Sequence, residues 1–228
     1  MKIDRPRCEV KIDGKTTRPS RVDIEQHSFC LPTCQIILSG ENRVGGTVGQ
    51  SVSVSLNRKK LFSGNILGMG RVVGGQLLKC GHNLVPVAAN FRKERAKYIF
   101  DDLAKQSGVK STSAKIPDAE FPHFHCSGEG WASLLAFART LERFSDDAFD
   151  LFFDSKGTLN LMPTPKEGSP QIDFKEGVNA LLIGFKWLKA FPFPLEYGDF
   201  IGVGQDTHRV QGLRYAISPG NSLMEVFF

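Results

Sequence analysis

Apolar residues spaced two apart, in short runs broken by glycine-bearing turns, constrain this chain more than any other feature. Cys8, Val10 and Ile12 alternate with charged residues and stop at Asp13-Gly14, a pair suited to a tight hairpin turn. Val22 and Ile24 alternate with Arg21, Asp23 and Glu25. Cys34, Ile36 and Leu38 repeat the period before Ser39-Gly40-Glu41-Asn42, and Val52, Val54 and Leu56 alternate with serines. A period of two sends one set of side chains to a buried face and the other to water. Leu61-Phe62-Ser63-Gly64-Asn65-Ile66 follows a basic turn, and Gly68, Gly70, Gly74 and Gly75 punctuate what comes next. Many short strands at this spacing predict a small antiparallel barrel or sandwich over residues 1–87.

The period then changes. Ala96, Ile99, Phe100, Leu103 and Ala104 share one face of an amphipathic helix, and Gly108 suits its C-terminal stop. A second helix is predicted from Ser127 as N-cap, with Glu129 in its first turn and Trp131, Leu134, Leu135, Ala138 and Leu141 as its apolar stripe. Phe149–Asp154 and Thr158–Met162 flank Ser155-Lys156-Gly157, where a three-residue hairpin turn needs a positive φ. Residues 88–163 are thus expected to form an α/β unit of two helices and a hairpin.

Thr164–Pro170 reads as a connecting loop, and strands return over 164–228. Leu181, Ile183 and Phe185 alternate; Phe191-Pro192-Phe193-Pro194 is excluded from a central strand because proline donates no ladder hydrogen bond. Phe200, Val203, Val210, Leu213 and Tyr215 mark further strands, and Met224, Val226 and Phe228 alternate as a closing strand would. The expected class is α+β, mainly β: two small antiparallel β-barrel domains, 1–87 and 164–228, around the α/β unit.

Bulk properties narrow the function. With 228 residues and 41% hydrophobic content the chain can bury a sizeable core. No apolar run approaches the roughly 18–20 residues of a membrane span, and Met1-Lys2-Ile3-Asp4-Arg5-Pro6 runs straight into polar sequence. No membrane anchor is expected, and the host cytoplasm is the expected place of synthesis. The net charge of +5 permits contact with a polyanion, but the lysines and arginines are dispersed; Arg58-Lys59-Lys60 and Arg92-Lys93-Glu94-Arg95 are the densest groups. Five cysteines at irregular spacing argue for reduced thiols rather than a disulfide framework.

Several patterns, in this order, resemble the hub proteins of contractile tails: phage late-control D-type tail proteins, Mu-like baseplate hubs and the N-terminal hub part of type VI secretion spikes. Leu61–Ile66 looks like the strand that ends that family's first barrel. Phe91–Gly108 and Ser127–Leu141 are similar to its two helices, and Phe149–Met162 to the hairpin that follows. Tyr197-Gly198-Asp199-Phe200 and Arg209-Val210-Gln211-Gly212-Leu213 resemble paired strands of its final barrel. Two positions depart from the pattern: Gly212-Leu213 replaces a second β-branched residue, and Tyr215 stands where a histidine is usual. The resemblance implies two barrels per subunit and a homotrimer presenting six barrels in a ring between tail tube and central spike, with DNA met only by passage through a channel. It also implies a place in the virion tail or baseplate, or in a prophage relic of one. The chain stops just after the last barrel strand, so the resemblance makes it the hub alone, with spike and lysozyme on other chains. Phe191–Pro194 and the Gly68–Gly75 loop are candidate subunit contacts.

Sharper chemistry finds little support. Cys80-x-His82 and His123-x-His125-Cys126 offer ligands that zinc takes, but at no standard spacing, and Cys30-x-x-x-Cys34 carries Pro32 in a turn. Asp101-Asp102 and Asp146-Asp147 are adjacent carboxylates, and chain neighbours rarely converge on one substrate. There is no Gly-x-Ser-x-Gly elbow, and the glycine-rich region lacks the Lys-Ser/Thr ending of a phosphate loop. No catalytic, metal or cofactor residue is assigned, and a structural protein rather than an enzyme is expected. A tail peptidoglycan hydrolase and a basic nucleic-acid-binding module are the alternatives.

Overall fold

The computed structural model describes residues 7–27, 29–40, 45–145 and 147–228. The expectations placed on residues 1–6, Glu41-Asn42 and Asp146 lie outside them. Along the chain run β1 (Cys8–Ile12), β2 (Lys15–Thr17), β3 (Pro19–His27), β4 (Thr33–Ser39), β5 (Ser51–Leu56), β6 (Lys59–Val72), β7 (Gly75–Gly81) and β8 (Val87–Arg95). Helix α1 (Ala96–Gln106), β9 (Thr112–Ala114), β10 (Glu120–Gly128), helix α2 (Gly130–Glu142), β11 (Phe149–Phe153) and β12 (Leu159–Pro163) follow. The remainder is β13 (Asp173–Phe174), β14 (Ala180–Gly184), β15 (Trp187–Ala190), β16 (Phe200–Val203), β17 (Asp206–Arg209), β18 (Gly212–Ser218) and β19 (Asn221–Phe227). The fold is mainly β with antiparallel sheets and two helices, as expected.

The described residues of Met1–His27, Pro32–His82 and Glu167–Phe228 form one compact unit, and those of Ser28–Leu31 and Asn83–Lys166 a second. In the first, one sheet of eleven strands runs in the order β14-β15-β19-β18-β3-β4-β7-β6-β5-β1-β2. The stretches 1–87 and 164–228, expected as separate barrels, both contribute to it, because β3 pairs with β18 in register from Val22↔Ile217 to His27↔Gly212. No closed barrel is found among the described residues. β1 comes back near β3 without pairing to it.

Local chemistry sets the turns. Asp13 and Gly14 both have positive φ, and so do Asn57 and Arg58 between β5 and β6, as two-residue hairpins twisted to match their strands require. The alternation forecast for β1, β3, β4 and β5 holds: Val10, Ile12, Val22, Ile24, Cys34, Ile36, Leu38, Val52, Val54 and Leu56 are all buried in one core, with Cys8 partly buried against it. The glycine-rich 68–75 region is not a loop. It is the outer half of the β6–β7 hairpin, with its turn at Val73-Gly74.

The second unit carries more strand than its sequence suggests. Phe91–Arg95 belongs to β8 rather than to the first helix, and Ser127 pairs with Ala88 in β10 rather than capping the second. Gly128, at φ +132°, releases the chain from β10. Helix α2 then starts at Gly130, where any side chain would run into Val85 O and Ser107. Helix α1 buries the forecast face completely, and Gly108 ends it at φ +84°. The buried face of α2 includes Phe137, which the forecast stripe omitted; its ring lies 5.4 Å from that of Phe124 and 5.5 Å from that of Phe121. The β11–β12 hairpin pairs Phe153 with Leu159 around Gly157 at φ +83°. Asp154 Oδ1 accepts from the amides of Lys156 and Thr158, both at 2.9 Å.

Candidate assembly interface

The residues singled out for chemistry are occupied structurally. Cys80 is buried in β7 directly opposite Cys34 of β4. Burial, then the hydrogen bond to the Cys80 thiol, pushes the Cys34 thiol well above its ordinary range. His82 lies against Phe62, with ring centroids 6.3 Å apart. In the second unit His123 Nε2 meets Asn90 Oδ1 at 2.8 Å, while Cys126 is buried and Cys30 exposed. Among the described residues, no group of three or more His, Cys, Asp or Glu is placed to hold a metal.

Asp101 and Asp102 are likewise engaged. Asp101 takes the Lys97 ammonium at 2.9 Å and the Thr112 hydroxyl at 3.1 Å, and Asp102 accepts from Gln106 Nε2 at 2.6 Å. In the basic groups, Lys59 Nζ donates to Pro194 O at 2.9 Å and Arg95 pairs with Asp118 at 2.7 Å.

Phe191-Pro192-Phe193-Pro194 is a pinned loop with one exposed ring. Pro192 is buried, Phe193 and Pro194 are half-buried, and only Phe191 is exposed. Tyr215 Oη accepts from Leu195 N at 2.9 Å, and its proton lies between Phe193 O at 2.8 Å and Leu195 O at 2.9 Å. The two motifs of the final strands meet: Gly198 N donates to Val210 O at 3.1 Å and Val210 N to Asp199 O at 2.8 Å. Gly212 is glycine because the His27 ring occupies the space of a side chain there.

What the first unit leaves open is its edges. β14 ends the eleven-stranded sheet on one side and β2 on the other. Along β14, Leu181, Leu182 and Ile183 are all exposed, although alternation forecast one buried face; among the described residues no layer covers either side of this edge strand. Beside β1 and β2 a cavity of about 690 Å³ opens, walled by Pro19, Phe191, Ile217 and Pro219 and rimmed by Arg7 and Arg18.

The fold built from these elements has solved counterparts. A tail protein from Neisseria meningitidis MC58 superposes with a TM-score of 0.77 at 12% identity, over 98% of this chain and 96% of its own. This chain has the fold of a phage-type tail protein. The 43 kDa tail protein of prophage MuSo2 from Shewanella oneidensis agrees at TM-score 0.74 and 9% identity, over 97% of both chains. An E. coli component of the type VI secretion system, similar in structure to the T4 bacteriophage tail proteins gp27 and gp5, matches at TM-score 0.70 and 11% identity, over 95% of this chain and 75% of its own. No protein-family profile and no curated protein matches the sequence.

In this tail-protein fold the exposed β14 edge is the feature that sequence reading missed. Its signal was present: Val178 to Phe185 contains neither a charge nor a proline, two of the devices by which edge strands avoid pairing, although the register of β14 against β15 is irregular between Leu182 and Gly184. Among the described residues, no helix is long and apolar enough to cross a membrane.

Proposed function

We propose that this chain is a structural hub subunit of a phage-type contractile tail or baseplate, three copies closing a ring that joins the tail tube to the central spike. The observation that carries the proposal is the shared fold over nearly the full length of this chain and of two tail proteins, at identities too low to reflect anything but architecture. The likeness to a type VI secretion component supports placing it near the spike.

On this reading the modules remain 1–87, 88–163 and 164–228, with the long sheet acting as two barrel-like halves joined at β3–β18. The approach of β1 to β3 supports the first half. The partners are tube and spike proteins. DNA passes through without tight binding, in keeping with lysines and arginines dispersed along the chain rather than gathered in one long run. The role is architectural rather than catalytic, as the local pairing of Asp101 and Asp102 favours. The protein is made in the host cytoplasm and ends in the virion tail.

Imaging of particles assembled with the cognate tube and spike proteins tests the proposal. A threefold ring of this chain at the tube–spike junction is expected; its absence from assembled particles, or a position elsewhere in them, overturns the reading.

A further inference from the structure

Cys34 and Cys80 face each other across the β4–β7 ladder as a directly opposed pair. Residues opposed in this way send their side chains to the same face of the sheet. Here that face is the core, where Cys34 is 1% and Cys80 4% exposed. The α-carbons of opposed residues stand about 4.5–5.5 Å apart, inside the roughly 4.4–6.8 Å that a disulfide spans. The two thiols are already hydrogen-bonded to each other. Among the described residues no other two cysteines are opposed: Cys8 lies opposite Leu56 and Cys126 opposite Ala89, while Cys30 is exposed outside any strand.

The surroundings explain how the pair can persist as thiols. Ile24 lies opposite Cys34 on β3 and Ile66 opposite Cys80 on β6, so buried apolar side chains close the row at both ends. Burial holds the Cys34 thiol well above its ordinary range, and exchange with a disulfide needs the thiolate. A closed sheet therefore reacts slowly. When β4 and β7 part locally, both thiols meet water and oxidant together, and local opening is the ordinary route by which buried groups become reactive.

We infer that Cys34 and Cys80 form a reversible cross-strand disulfide that fastens β4 to β7 under oxidising conditions. The oxidant is a small organic disulfide. One cysteine thiolate attacks it, giving a mixed disulfide and one released thiol. The second cysteine thiolate then displaces the remaining half, so the two protons and two electrons end on the two released thiols. Joining strands about 45 residues apart in sequence restricts the unfolded chain and so stabilises the fold. The pair is independent of the hub reading, which adds only the occasion: a particle leaving the reducing cytoplasm for an oxidising exterior.

The test uses the full-length chain with its exposed thiol removed (Cys30→Ser). It is fully reduced, then held with oxidised glutathione at pH 8 in urea below the unfolding midpoint. Remaining thiols are alkylated in denaturant and the digest is read by mass spectrometry. A single internal link between the Cys34 and Cys80 peptides is expected, and dithiothreitol should restore both thiols. The oxidised protein is expected to melt roughly 3–10 °C above the reduced one, a shift that Cys34→Ala and Cys80→Ala each abolish. Complete alkylation of Cys34 and Cys80 overturns the inference and leaves them as small packing residues. A link from Cys34 to Cys8 overturns it as well, and a linked protein that melts no higher overturns the fastening of β4 to β7. None of these results moves the ring expected at the tube–spike junction, so the two readings fail separately.

Discussion

The phenolic oxygen of Tyr215 accepts the buried Leu195 amide at 2.9 Å and ties the Phe191–Pro194 loop to the sheet. Burial holds the phenol far above its ordinary range, so it stays protonated and keeps donating to the loop carbonyls. Tyr215→Phe removes the phenol's hydrogen bonds to this loop and leaves the Leu195 N–H only its bond to Phe193 O at 2.8 Å, a loss of about 0.5–1.5 kcal/mol per hydrogen bond. Differential scanning calorimetry is expected to show a melting point lower by roughly 2–4 °C per kcal/mol for a chain of this size. An unchanged melt would mean that the loop is held by packing alone.

Asp199 sets a pH dependence. Its Oδ1 accepts from Gln171 Nε2 at 2.7 Å and its Oδ2 from Glu196 N at 2.8 Å, yet desolvation raises its pKa against the lowering effect of the Glu196 amide. The native state then takes up a proton before the unfolded chain does. The contribution is complete below the unfolded value of about 3.9 and is lost as pH rises through the raised folded value. The melting point of wild type relative to Asp199→Asn is therefore expected to be higher at pH 4 than at pH 7. A constant difference across that range would refute the assignment.

The thiols separate by burial. Cys30 is exposed, Cys8 has a pKa pushed up to about 12 by burial, and Cys34, Cys80 and Cys126 are buried. At neutral pH Cys8 therefore carries about a thousandfold less thiolate than an ordinary exposed cysteine. Labelling the native protein at pH 8, followed by peptide mass analysis, is expected to modify Cys30 first. Cys34 and Cys80 should react only on unfolding; early labelling of either would contradict the buried pair.

Phe137 is fully buried at the centre of the second unit, against Phe121 and Phe124. Phe137→Ala is expected to cost about 3–5 kcal/mol, read as a shift in the urea midpoint. Leu181→Ala, on the exposed edge, should leave that midpoint nearly unchanged. Equal effects would mean that one of the two positions is misassigned.

Strand alternation and helix periodicity were legible because one face of each element meets a core: Val10 to Leu56 and Ala96 to Ala104 are buried as their spacing demands. β8 and β10 were not. Pro122 sits in β10 close to the positive φ of Lys93 in β8, so the pattern along each strand is interrupted where the pair adjusts. The joining of both chain ends in one sheet was also invisible, since nothing local in Ile24 or Tyr215 names the other as its partner. Aromatic and proline content marked Phe191–Pro194 as a candidate contact, and the lack of charge and proline from Val178 to Phe185 is a second signal, for an open sheet edge.

The pairing of β3 with β18 governs how the chain can reach its native state. Ile24 must wait for Tyr215, roughly 190 residues later, so a central ladder of the long sheet has a very non-local contact, and such contacts form slowly. The second unit, built from nearly contiguous sequence, has no such delay. During synthesis it can fold while β3 still exposes an unpaired edge on the ribosome, and that interval is when the nascent chain is most vulnerable to aggregation.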